Sequence, residues 1–142
     1  MTVRAKTILV APPPVTPSCA VTSGWRTDAR GSDTMSRDAL YLVRAGRHGC
    51  FDRVVFDVNG PAEAGFAVRY VTVVTTDPKG APLPVPGGTT PGWPSLRAVR
   101  FAGSFEGRST FAVGVRAKLP FRVFTQAGPQ DAIRRVVVDI AH

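Results

Sequence analysis

Apolar residues along this chain fall in short alternating runs cut off by glycine and proline, the period of extended strands rather than of helices. ALYLVRA (39–45) alternates imperfectly and ends in the turn GRHGC. FDRVVFDV (51–58) alternates cleanly until Asn59, Gly60 and Pro61 stop it, so the two stretches predict a hairpin. FAVRYVTVVTT (66–76) predicts one long strand, and Asp77-Pro78-Lys79-Gly80 has the residue types of a type I turn, with APLPV as a short return. PGGTTPGWPS (86–95) reads as a flexible loop carrying Trp93. LRAVRFAGSF (96–105), the tight turn Glu106-Gly107 and STFAVGVRA (109–117) predict a second hairpin, and LPFRVFTQ (119–126) and AIRRVVVDIA (132–141) close the chain. No helical period runs beyond a turn or two. Roughly seven to nine short strands at this spacing predict an all-β fold, a sandwich or a barrel.

Two of these strands echo each other, DRVVFDV (52–58) and RRVVVDI (134–140). Period two puts Val54, Phe56 and Val58 on one face of the first, with Arg53, Val55 and Asp57 on the other. In the second it puts Val136, Val138 and Ile140 inward and Arg135, Val137 and Asp139 outward. If the strands are antiparallel neighbours with Val55 opposite Val137, then Arg53 faces Asp139 and Asp57 faces Arg135. A parallel pairing in matched register would set Arg against Arg. The expectation is therefore a scaffold pair with Arg53, Asp57, Arg135 and Asp139 in structural roles. Catalytic carboxylates fit less well, because general acid work needs a raised pKa and an Arg neighbour lowers it.

Length allows one domain of 142 residues. Residues 1–18 include APPPVTP, with polyproline II character, and read as a Pro-rich tether or linker; residues 19–142 read as the β domain. Between Cys19 and Asp38 the chain is polar and turn-rich, with Trp25 as its large anchor. No apolar stretch approaches the length of a membrane span. MTVRAKTILVAPPP opens with two bases and a short apolar run, but TILVA is too short for a signal core and VTPSC is not a lipobox, so the start reads as trimmed, misassigned or exported by another route.

The net charge of +8 comes from fifteen Arg against three Lys, with ten acids. Part of that bias is what a GC-rich genome produces; the rest favours a polyanionic neighbour. Cys19 and Cys50 are the only cysteines, and an even count in an otherwise Cys-free β domain suggests one disulfide, hence an oxidising compartment. The alternatives are two inert thiols or a metal site of Cys19, Cys50 and His48. No zinc-type spacing such as HxxH or paired Cys is present, and neither a metal nor a cofactor is expected. GSFEG (103–107) resembles a nucleophile elbow, but Ser104 stands one place early for G-x-S-x-G. Exposed Arg and aromatic residues make better binding candidates, since Arg holds carboxylates bidentately and aromatic rings stack on sugars. Trp25, Arg47, His48, Trp93, Arg97, Arg100, Arg108, Arg116 and Arg122 are the candidates.

VRAGRHGCFDRVVFDVNGP (43–61), RFAGSFEGRSTFAVGVRAKLPFRVF (100–124) and RVVVDIAH (135–142) resemble the AMIN-like domain proteins of actinobacteria, relatives of the AMIN domain of N-acetylmuramoyl-L-alanine amidases. The resemblance spans about residues 19–142. Arg47, His48, Cys50, Asp52, Arg53 and Asp57 match one signature block, Gly103 to Gly107 the GSFEG turn, and Leu119 to Phe124 the LPFRVF strand. The chain departs from the family pattern in the stretch before RFAGSFEG, where only PGGTTPGWP stands.

What the resemblance implies is an AMIN-like β-sandwich of two small, mainly antiparallel sheets, located in the cell envelope or secreted, and without catalysis. The function expected is binding of an anionic, peptidoglycan-type glycan or of an envelope protein, without a membrane span. Two alternatives stand beside it. One is a hydrolase of wall fragments using His48 with Asp52 or Asp57; the other, which the scattered bases favour least, is a nucleic-acid-binding β domain.

Overall fold

The computed structural model describes residues 19–32, 34, 38–77, 79–84 and 93–142. The strands are β1 (Arg30–Ser32), β2 (Ala39–Arg47), β3 (Phe51–Asn59), β4 (Phe66–Val68), β5 (Val74–Thr75), β6 (Pro82–Leu83), β7 (Leu96–Phe105), β8 (Arg108–Val115), β9 (Phe121–Ala127) and β10 (Ile133–Ala141). Among the described residues the only helical elements are two single 3-10 turns, Ala20–Thr22 and Pro129–Asp131. The fold is all-β, as the alternating pattern predicts.

The central element is an antiparallel sheet in the order β2-β3-β10-β9. β3 and β10 pair with Val55 opposite Val137, Arg53 opposite Asp139 and Asp57 opposite Arg135, the register that opposite charges favour. Alternation then sends Val54, Val138, Ile140 and Phe121 to one face. There they meet Leu96 of β7 in a buried cluster, with Phe56, Val99, Val113 and Val115 packed against it. Burying each such side chain contributes roughly 1.5–3 kcal/mol. The hairpin β7–β8 is thus the opposing layer of the sandwich.

That second layer is held open at defined places. The β7–β8 turn has positive φ at both Glu106 (52°) and Gly107 (79°), the backbone of a type I′ hairpin turn. Gly103 has φ 114° and forms a parallel bridge with Asp77, whose N–H donates to Ala102 O at 2.8 Å. A Cβ at position 103 would lie 2.2 Å from the Asp77 carbonyl oxygen, so only glycine fits the start of GSFEG. The bridge links the hairpin to the small β5–β6 ladder, and β1 pairs with β4 separately.

The long strand expected over 66–76 is a correction. Only Phe66–Val68 and Val74–Thr75 are strands, because among the described residues the chain between them has no continuous partner, and Tyr70 turns inward. The Tyr70 hydroxyl donates to Leu119 O at 2.6 Å and accepts from Leu119 N at 3.0 Å, and burial pushes its pKa up. The tether of residues 1–18, Pro78 of the 77–80 turn and residues 86–92 of the Trp93 loop lie outside the described residues.

Cys19 and Cys50 are bridged, with Cα atoms 5.5 Å apart. The bridge fastens the Ala20–Thr22 turn to the β2–β3 turn. From there the chain runs to the end of the main sheet, where Phe121 N donates to Arg26 O at 2.9 Å and extends the sheet past β9.

Candidate functional site

The outer face of the four-stranded sheet carries the odd-numbered residues of β3 and β10 and the even-numbered residues of β9. Arg53 grips Asp139 with both ends of its fork, Nε to Oδ1 at 2.7 Å and Nη2 to Oδ2 at 3.0 Å, and Arg122 Nε adds a bond to Oδ2 at 2.8 Å. Arg44 grips Asp57 in the same way, at 2.8 and 3.0 Å, with Arg135 Nε on Oδ1 at 3.1 Å. Asp139 and Asp57 are buried beneath their arginines, while the Arg44 side chain remains 45% exposed. Each carboxylate thus holds two guanidinium groups, and each cluster keeps one positive charge in excess. Arg122 and Arg135 reach their carboxylates through Nε alone, leaving their Nη groups free of that task.

Electrostatics agree with a fixed, charged lattice. Burial alone would push the Asp57 carboxyl up, but the Arg44 and Arg135 bonds outweigh it and hold the group below the usual carboxylate range. The Asp57 bond in turn raises Arg44, and the Asp139 bond raises Arg53, above their ordinary values. The Asp57 carboxylate stays ionised and anchors its two arginines.

One end of this face is aromatic. The Arg122 guanidinium lies 4.7 Å from the Trp25 ring centre, 5.1 Å from Phe124 and 5.5 Å from Phe51, and Arg53 lies 5.4 Å from Phe51 and 5.6 Å from Phe124. Trp25 and Phe51 are 5.6 Å apart, and His48 stacks on Phe51 at 4.7 Å with a 16° tilt. Cation–π contacts of this kind hold Arg122 among the rings without consuming its N–H donors. Trp25 reaches the site because the disulfide and the Arg26–Phe121 bridge hold its segment against the sheet end.

Of the residues singled out from the sequence, Trp25, His48 and Arg122 come together here, with Arg53 and Asp139 beneath them. The others stand elsewhere. Trp93 packs against the core cluster around Leu96, so its ring is a core element rather than part of this surface. Arg100 donates to Pro84 O and Arg116 Nε to Pro94 O at 2.8 Å, each bracing a loop. Arg97 is half-buried on β7, Arg108 is exposed beside the hairpin tip, and Arg47 is exposed at the end of β2 opposite Asp52. Sequence reasoning missed Arg44, Phe51 and Phe124. Period two in FRVF places Phe124 beside Arg122 and would have found it; Arg44 is obscured by the bulge between Leu40 and Leu42.

The groups suggested for hydrolysis form no such constellation. Asp52 faces the inner side and is fully buried, accepting at Oδ2 from Ser95 N (2.9 Å), Ser95 Oγ (2.8 Å) and Leu96 N (2.8 Å), with His142 Nε2 at 3.1 Å from Oδ1. Burial alone would raise its pKa, but these donors hold it below the usual range. Asp57 lies on the opposite face under Arg44 and Arg135, and the His48 ring lies on Phe51. Asp52 is a buried post that fixes the start of β7 to the main sheet.

The family model of the AMIN-like domain matches residues 38–90 and 88–142, two pieces that meet in the stretch leading to β7. No curated protein and no solved structure matches the chain.

Proposed function

Because the chain belongs to the AMIN-like domain family, we propose that it is a non-catalytic cell-envelope module whose outer sheet face binds an anionic, peptidoglycan-type glycan. Membership itself points to a cell-wall-related module of a generally non-catalytic kind. The observation that carries the finer reading is Arg122, which lies among Trp25, Phe51 and Phe124 and shares Asp139 with Arg53. Rings beside cations suit a polymer that presents sugar faces next to carboxylates. In this reading the Nη groups of Arg122 and Arg135 receive ligand carboxylates, and the Trp25 and His48 rings receive sugar or peptide faces. An envelope protein with an acidic surface is the second partner of the same chemistry.

The disulfide and the family support a place outside the cytoplasm. Among the described residues no helix is long and apolar enough to cross a membrane. The same reading takes residues 1–18 as a tether that carries the domain of residues 19–142.

The test is retention on purified cell wall at low salt, against an inert protein of equal basic charge. The domain is expected to be retained above that control, with Trp25→Ala and Arg122→Gln each weakening retention by about tenfold, as for central aromatic and Arg anchors. Arg108→Gln, away from the face, leaves it unchanged. Retention equal to the basic control sinks the proposal.

A further inference from the structure

The four-stranded sheet ends on one side in β2, nine residues long, and none of the described residues pairs with its outer edge. Its hydrogen-bond phase follows from the turn. His48 N donates to Phe51 O at 2.9 Å, so 48 and 51 are a hydrogen-bonded pair. Pair types alternate along an antiparallel ladder, which makes Gly46 with Arg53 and Arg44 with Val55 hydrogen-bonded, and leaves Arg47, Ala45 and Val43 at the other positions. The backbone N–H and C=O groups of Val43, Ala45 and Arg47 therefore point away from β3. They form an evenly spaced template for one more strand.

Beside this edge the sandwich is open. A groove of about 370 Å³ runs between Tyr41, Leu42 and Val43 of β2 and Phe101 and Phe111 of the hairpin. Tyr41 is 52% exposed, Leu42 43%, Phe101 58% and nearby Phe105 52%. Single exposed apolar residues are ordinary, but several large ones bordering a groove, next to a strand edge that no described residue pairs with, mark an interaction site.

We propose that β2 accepts an extended segment of another protein as a fifth strand, one whose residues alternate apolar and acidic. The pleat dictates the alternation. One set of its side chains turns inward to the groove against Phe101, and the other turns to the outer face. There it meets Arg44, whose cluster with Arg135 and Asp57 is net cationic. The same charge argues against a second copy as occupant. Each copy carries +8, and its own β2, ALYLVRAGR, brings arginines and no acid to meet Arg44.

The test is fluorescence anisotropy on the full chain with a fluorescein-labelled nonapeptide alternating valine and glutamate. Saturable 1:1 binding is expected. Ala45→Pro deletes an outward donor at an edge position that tolerates proline, and Phe101→Ser removes a groove wall; each is expected to weaken binding by about tenfold. Both leave the cell-wall face intact, so wall retention stays unchanged. A peptide N-methylated at every residue has no donor on either edge and needs no altered protein, and it should not bind. Absence of saturable binding overturns the proposal, as does equal binding of the N-methylated peptide or of one with lysine in place of glutamate. Sedimentation showing a dimer that Ala45→Pro dissolves also overturns it, since β2 would then be the seat of a second copy.

Discussion

Three buried aspartates govern the molecule at the scale of single residues, and each is buried because donors converge on it. Asp57 and Asp52 have folded pKa values below the ordinary one, so the folded state prefers them ionised. Their stabilisation is complete above the unfolded value of about 4 and is lost as pH falls through the lowered folded values. Chemical denaturation followed against pH should show stability level above about pH 5 and declining below about pH 4, and Asp57→Asn should flatten part of that decline. Asp52→Ala strands the N–H groups of Ser95 and Leu96 in the interior. With about 1–3 kcal/mol for each unsatisfied donor, a loss of about 3 kcal/mol or more is expected in urea melts. The charge arithmetic between 53 and 139 and between 57 and 135 could be read from sequence. The second arginine on each aspartate could not, since Arg44 and Arg122 arrive from other strands.

Elements show where local chemistry and tertiary demands meet. The Glu106-Gly107 turn needs positive φ at both positions, and glutamate is a poor residue for the first. Glu106→Asn should raise the melting midpoint, by about 0.5–1 kcal/mol of stability, with the hairpin unchanged. The disulfide joins positions 31 apart, and on the chain-entropy model its removal costs about 3–4 kcal/mol. A Cys19→Ala, Cys50→Ala variant should lose about that much in denaturant melts. It should also lose wall retention, because the segment carrying Trp25 is no longer pinned to the sheet. Both hairpins were legible because their turns and alternation agree. The 66–76 run was not, because an apolar run states that a segment is buried and not whether a strand lies beside it.

For the whole molecule, charge and layering decide how the surfaces are used. The excess of arginine on the outer face predicts that wall retention falls steeply between low salt and about 0.5 M, where screening shortens to a few ångströms; a flat salt response would mean the cationic face is idle. Core, outer face and β2 margin follow from one sandwich whose second layer, the β7–β8 hairpin, leaves the β2 side uncovered among the described residues. By itself the sequence determined the strands that alternate, the faces of β3 and β10 and their charge-matched register, because these depend on period two and nearest neighbours. Only the tertiary structure decided that Trp25, His48 and Arg122 meet, that Trp93 goes to the core, and that Asp52 is buried against the start of β7. Those outcomes depend on chain segments far apart in sequence, placed by the disulfide and by the packing of one layer on the other.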